Sequence, residues 1–296
     1  MSEQEFKQDL TLEEQALAPF MIHLFMKEKC ELPDKDTMTE IMLKHLSDVS
    51  CFSHDNKLVN FSANKYTAEF KEGSAPPLLT IMECMDCEQW ISEKLDAFIR
   101  SQMWDCPDKE RILSECKYHV IAMDMMAASL PYRDRADMLM DFTEALVEMF
   151  PQCEAVYFDN SGKMFSADKV RNHNIPRDDR FIYFAVNVRF FNISGTDDMV
   201  IDSLGMSILH MPDLQYHFHG VDPNWVVNHA YNLLSYIYAN DNPIKNGETV
   251  DGVSDGHIDI NLQWRCHYEN SLIQPAREVL DICMNEYASG GRNYDE

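Results

Sequence analysis

The sequence is short of the residues that break regular structure. Its 296 residues include only ten glycines and twelve prolines, while aromatics are plentiful, which excludes wholesale disorder. It lacks a long apolar run: residues 20–26 are too few to span a bilayer and are interrupted by His23. The opening MSEQEFKQDL has neither a basic n-region nor an apolar h-region, which predicts a cytoplasmic protein. Positive charge is scarce. Twenty-five Lys and Arg face fifty Asp and Glu, for a formal net charge of −25. Such a field repels phosphate backbones and anionic membrane surfaces, so no nucleic-acid and no membrane partner is expected. A basic protein or a metal ion is electrostatically the easier partner, and solubility alone is a sufficient reason for the charge.

Several chemical signatures are also missing. There is no Walker A loop, no GxGxxG and no HExxH. Ser203 and Ser207 flank Gly205 without completing a GxSxG elbow. The acidic stretch 251–256 lacks the alternating ligands and closing Glu of an EF-hand.

What is present suits a folded, reduced protein. With 45% hydrophobic residues the chain can bury a core without disulfide or metal. Its nine cysteines are odd in number, irregularly spaced and set among apolar residues, the pattern of free thiols in a reducing compartment. Cys84 and Cys87 form a CxxC between a strand and a helix, where a redox pair would sit. Glu83 and Asp86 oppose a thiolate there, and no second CxxC completes a zinc site, so a structural role is preferred. The nineteen methionines read as core filler.

Thr11 and Glu14 have capping-box spacing, and 12–29 is read as a helix with Pro19 as a kink or true start. A second helix carries Met38, Ile41, Met42, His45 and Val49 on one face. The period then changes to two, giving short strands at 51–54, 58–62, 65–71 and 77–83. A helix is predicted over 88–103, a buried strand over 118–126, and a long helix opened by Pro131. Residues 155–158 read as a strand and 159–162 as a turn. Residues 171–180 look like an exposed loop and 181–191 the most strand-like run, with further strands at 199–204 and 214–218. Asp222 and Pro223 start a helix as N-cap and first residue, Asn240 closes it, and two late strands follow a loop at 241–256.

The fold class read from this order is α+β: mixed, largely antiparallel sheets with helices packed on one face, plus N-terminal helices. The domain reading is an N-terminal helical segment (1–50), an α+β domain (51–290) with sub-halves at 51–160 and 161–290, and a frayed tail (291–296).

The densest ionisable cluster runs from His210 through Asp213, His217 and His219 to Asp222. On a strand, Asp213, His217 and His219 share a face, and Asp202 is a candidate neighbour. Three imidazoles with carboxylates suit zinc or another divalent ion, and a hydrogen-bonded polar patch is the alternative. Gly247, Glu248 and Thr249 form a candidate binding loop. Arg277, Glu278 and Asp281 stand in an apolar run, as a buried or half-buried ion pair would.

The C-terminal half also carries an ordered motif string. Asp202-Ser203-Leu204-Gly205-Met206 leads to Pro212-Asp213-Leu214-Gln215, then to Asp222-Pro223, to 231–237 and to 244–249. In this order the residues resemble a bacterial family known only as domain of unknown function 4261, over about 115–282 and most sharply over 200–252. The resemblance implies a shared strand, turn, helix and loop at 202–249. It implies no catalytic residues, because none are established for the family.

The leading functional expectation is a non-enzymatic intracellular binding protein, one that masks a basic protein partner and needs no cofactor. One alternative is a metal-dependent hydrolase built on the 210–222 cluster, in which the ion activates water. The other is a small-molecule binding module whose pocket is roofed by 241–256. Convergence of the histidines and aspartates in a pocket is what separates the hydrolase from the rest.

Overall fold

A computed structural model describes residues 5–9, 11–14 and 18–291. The chain divides into two compact units, Leu17–Ala185 and Val186–Glu296 with Met1–Ala16. In chain order the first unit has β1 (Met21–Met26), α1 (Lys35–Leu46), β2 (Val49–His54), β3 (Leu58–Ala63), β4 (Ala68–Phe70), β5 (Gly73–Ala75), β6 (Leu78–Met82) and β7 (Met85–Asp86). It continues with α2 (Glu88–Lys94), α3 (Ala97–Ser101), α4 (Lys109–Glu115), β8 (Tyr118–Met125), α5 (Tyr132–Met149), β9 (Ala155–Phe158), β10 (Lys163–Ser166), α6 (Ala167–Arg171) and α7 (Arg180–Ala185). Its main sheet runs β10-β9-β1-β8-β6-β3-β2, with β7 added on β8 and every pairing antiparallel.

The expected N-terminal helix over 12–29 is corrected. Met21–Met26 is a strand inside the sheet, paired with β8 on one side and β9 on the other. Five apolar residues around one histidine have no period of their own, so their neighbours decide their structure. Buried Asp124 on β8 fixes the entry: it accepts the Phe20 N–H at 2.6 Å and the Arg135 guanidinium at 3.0 and 2.9 Å. Thr11 and Glu14 do not cap a helix. Glu13 bridges to Ala276, and Glu14 accepts a hydrogen bond from Ser207. Residues 15–17 of that expected helix lie outside the described residues.

Two further expectations shift. The helix over 88–103 breaks at Leu95, because Asp96 accepts the Ile99 N–H at 2.8 Å and caps a new helix. Ile91, Leu95 and Met103 still pack with Phe25, Cys87, Cys106, Cys116 and Tyr157. The strand over 181–191 is a helix in its first half. Arg180, expected in an exposed loop, is buried and donates to Asp141 at 2.7 Å and to Glu144 on α5. Arg177 joins it, reaching Asp137 at 2.9 Å and Asp141 at 3.0 and 2.8 Å. Burial alone would raise the Glu144 carboxyl, but hydrogen bonds from His45, Arg180 and His173 bring it down to about 2.

The second unit contains β11 (Asn187–Asn192), β12 (Met199–Leu204), β13 (Asp213–Phe218), α8 (Pro223–Ala239), β14 (Thr249–Ser254), β15 (His257–Asn270) and β16 (Glu278–Cys283). The sheet order is β11-β12-β13-β16-β15-β14, and β13–β16 is its parallel pair. Helix α8 follows the sequence closely. Asp222 accepts the Asn224 N–H at 2.9 Å, Pro223 comes first, and the Asn240 N–H bonds Tyr236 O. Val226, Ala230, Leu233, Leu234 and Ile237 are buried along it. Together the units make a mixed, largely antiparallel α+β protein, with one helix and one central strand where N-terminal helices were expected.

A buried imidazole pair in the first unit sets a pH dependence. His23 on β1 and His119 on β8 place their Nδ1 atoms 3.2 Å apart, and Trp90 stacks on His23 at 4.2 Å between ring centroids. Burial pushes His23 down to about 3 and His119 down to about 4. The folded chain therefore keeps both rings neutral while the unfolded chain takes up protons below about pH 6.5. Their stabilisation is full above that value and is lost as pH falls through it, by up to about 1.4 kcal/mol per ring and pH unit. The urea midpoint should drop between about pH 7 and pH 5. His119→Leu should flatten that slope, and an equally steep profile in the variant would refute the assignment.

Candidate functional site

The second unit is organised around one buried guanidinium. Arg277 stands one residue before β16 and reaches back to β12 and β13. Its Nη2 donates to Asp202 Oδ2 at 2.8 Å and to Ser203 O at 2.6 Å, and its Nε to Asp213 Oδ2 at 3.3 Å. Nη1 donates to Ile273 O at 3.1 Å and Pro275 O at 2.9 Å. Asp202 also holds Arg189, at 2.8 and 2.5 Å. Asp213 accepts the Ser203 hydroxyl at 2.8 Å and the Met206 N–H at 3.3 Å. Burial raises the Asp213 carboxyl despite the opposing pull of Arg277. Glu14, largely enclosed beside it, is raised first by burial and then by Asp213. Arg277 thus pairs with Asp202 and Asp213, not with Glu278 or Asp281; Asp281 accepts from Gln215 at 3.1 Å.

The six residues of the expected metal cluster are dispersed. Asp202 and Asp213 are committed to guanidinium groups. Asp213 shares a strand face with His217 and His219, but four residues of strand put about 13 Å between Asp213 and His217. His219 Nδ1 lies 2.9 Å from Ser289 Oγ, which donates to Asp198 Oδ1 at 2.8 Å; His217 Nε2 lies 3.6 Å from Asp198 Oδ2. His210 is exposed in a left-handed conformation, and Asp222 caps α8. Among the described residues no three His, Cys, Asp or Glu side chains gather as metal ligands. The hydrolase reading loses the convergence on which it depended.

The candidate loop Gly247, Glu248 and Thr249 instead forms one wall of a cleft of about 730 Å³. Helix α8 supplies the facing wall through His229, Asn232, Leu233 and Tyr236. Leu233 and Ile244 are buried in its floor, and Tyr236 and Ile258 stand exposed at its rim. Glu248 and Asp251 bring two exposed carboxylates. The loop is tied down by Gly247 N–H to Cys266 O and Cys266 N–H to Glu248 O, both at 2.8 Å. Gly247 has φ +85°, a turn that favours glycine.

His229 joins the two walls. A carbonyl can only accept, so its Nε2–H donates to Asp251 O at 2.7 Å, and Nδ1 accepts the Tyr216 hydroxyl at 2.8 Å. Burial pushes its pKa down, which keeps the ring in this neutral state. Both nitrogens are engaged, so His229 is a wall fixture and not a free base. The side chain of Gln263 holds the strand beside it, donating to Asp251 Oδ1 at 2.6 Å and accepting from Thr249 at 2.8 Å. Gly252 follows at a bulge, where an added Cβ would lie 2.7 Å from Trp264 and 2.8 Å from Leu262. The sequence signal for these wall residues was helical spacing: 229, 232, 233 and 236 lie on one face of α8.

Two substitutions test the support of the site. Arg277→Met leaves buried Asp213 without a cation and Asp202 with Arg189 alone, and should cost about 3–5 kcal/mol in urea unfolding. Gly252→Ala should cost about 1–3 kcal/mol through overpacking against Trp264. Parent-like stability in Arg277→Met would refute the central place given to that side chain.

No curated protein and no solved structure matches the chain. The model of the family described as "Domain of unknown function (DUF4261)" matches residues 202–283, the segment that runs from Asp202 through the cleft to the end of β16.

Proposed function

We propose that this is a cytoplasmic bacterial binding protein, not an enzyme, and that the cleft between α8 and β14 takes a cationic group of a basic protein partner. The observation that carries the reading is the lining. Glu248 and Asp251 stand beside Tyr236, Leu233, Ile244 and Ile258, and no lining residue is Lys or Arg. Lys and Arg side chains pair an apolar stem with a charged head, which suits walls of this mixture. An aromatic ring adds attraction for the cation. The net charge of −25 would steer a basic partner toward the protein from a distance. Nine free cysteines accord with a reducing compartment.

The volume also lies within the range of about 300–1,000 Å³ usual for small-molecule sites. A small organic cation is therefore the second reading.

Fluorescence anisotropy with labelled peptides tests both. Peptides bearing Arg or Lys beside an apolar residue should bind, and their Glu analogues should not. The double variant Glu248→Gln/Asp251→Asn should weaken binding about tenfold or more, which is about 1.4 kcal/mol. Tyr236→Ala should weaken it as well, and added salt should lower the affinity. Equal binding of acidic and basic peptides would overturn the proposal. Competition by a free alkylammonium at the peptide's own affinity would favour the second reading.

A further inference from the structure

Strand β14 ends its sheet: β15 pairs with it on one side, and no strand of the described chain pairs with it on the other. Three hydrogen bonds fix which of its backbone groups face outward. Just before the strand, Cys266 N–H donates to Glu248 O and Gly247 N–H to Cys266 O, so the Glu248 carbonyl faces β15. An antiparallel ladder alternates between residues that exchange hydrogen bonds with their opposite number and residues that do not. Two residues on, Val250 therefore faces β15 opposite Trp264, while Thr249 and Asp251 face away. The third bond agrees: Asp251 O accepts the His229 Nε2–H at 2.7 Å from α8, on the far side from β15. Thr249 N–H, Thr249 C=O and Asp251 N–H thus point out of the sheet, and none of them is hydrogen-bonded among the described residues. Both residues are exposed and line the cleft. His229 on the Asp251 carbonyl, and the register shift between Asp251 and Gly252, end this open stretch.

We propose that an extended segment of a basic partner protein binds in the cleft as a strand added to β14. This rests on the reading of the cleft as a site for cationic side chains, and it specifies how the chain that carries them is held. An open strand edge is a template for pairing with another chain. In strand addition the main chain supplies affinity and alternate side chains supply selectivity. The side chains of Thr249 and Asp251 share one face of β14, where both bond Gln263. A Lys or Arg on that face of the added strand meets the Asp251 carboxylate, and positions with that outlook recur every second residue. A second copy of this chain is the poorer occupant. Two β14 edges brought together would set Glu248 and Asp251 against their own counterparts, in chains that each carry a net charge of −25.

The test uses the full chain and a basic peptide that binds it, N-methylated at one backbone amide at a time. Methylation of amides that face β14 should weaken binding about tenfold, and methylation of the amides between them should leave it unchanged. Thr249→Pro removes an N–H that does not serve β15, so it should keep the fold by circular dichroism and weaken the peptide about tenfold. Thr249→Ala should bind as the parent does. Hydrogen exchange at the Thr249 and Asp251 amides should slow when the peptide is added. Should Thr249→Pro misfold, the methylation series decides, since it uses the parent chain. Strand addition is refuted if basic peptides bind in preference to their Glu analogues but methylation has the same effect at every position; the cationic reading of the cleft then stands. If no basic peptide binds, both fall. Exchange at Thr249 and Asp251 that slows with protein concentration alone would make a second copy the occupant and refute the basic segment.

Discussion

The second unit depends on Arg277. Its strand, β16, must insert between β13 and β15, and its pairing with β13 is parallel, so no tight hairpin brings the two together. The guanidinium supplies the link. It bonds Asp202 and the Ser203 carbonyl on β12, Asp213 on β13, and two carbonyls of its own approach, Ile273 and Pro275. Removing two charges from water offsets much of what their attraction contributes, so such a network adds little net stability relative to an apolar core. Its physical effect lies in register. A β16 shifted by one residue would strand Asp213 in a sealed interior and leave Asp202 to Arg189 alone.

The cleft inherits that register. β15 pairs with β16, and β14 pairs with β15, so the position of the outermost strand follows from the innermost placement. His229 then closes the arrangement from the other side, linking Tyr216 on β13 through α8 to the Asp251 carbonyl on β14. The cleft is thus held at both walls by groups that do not face a ligand with a free polar atom. The groups that do face it, Glu248, Asp251 and Tyr236, are exposed and are anchored by their backbone or neighbours.

The legible parts of the sequence are those whose signal is local. Helix α8 has its cap, its proline and its apolar stripe within one stretch, and β13 has period two. The loop at 247–249, which lines the cleft, was marked by its glycine and polar neighbours. Other features are not local. β1 is five apolar residues and a histidine without a period, and its structure is decided by Asp124, which holds Phe20 from a hundred residues away. The first half of 181–191 has strand-like composition, but Arg180 ties it to α5. The parity argument for His217 and His219 was sound, yet the partner of Asp213 is an arginine 64 residues later. CxxC spacing likewise suggested Cys87 for Cys84, but the Cys87 thiol points to Cys116 O at 3.8 Å.

The buried ion pairs also change what the acidity means. Arg135, Arg180, Arg189, Arg277 and Lys163 are all buried, as are Asp124, Asp141, Asp202, Asp213 and Asp281. Among the described residues equal numbers of each sign are withdrawn from the surface, so burial takes nothing from the net charge of −25. Because cations are the scarcer kind, the ratio of acid to base at the surface exceeds the two to one of the full sequence. A field of that sign acts on any approaching cation, but it is screened within about 8 Å at physiological salt and does not choose among cations. Choice requires contact, and contact for a Lys or Arg side chain requires an apolar surface for its stem as well as a carboxylate for its head. The α8–β14 cleft offers both within one concavity, and the proposal of a cationic ligand rests on that lining together with the charge of the chain.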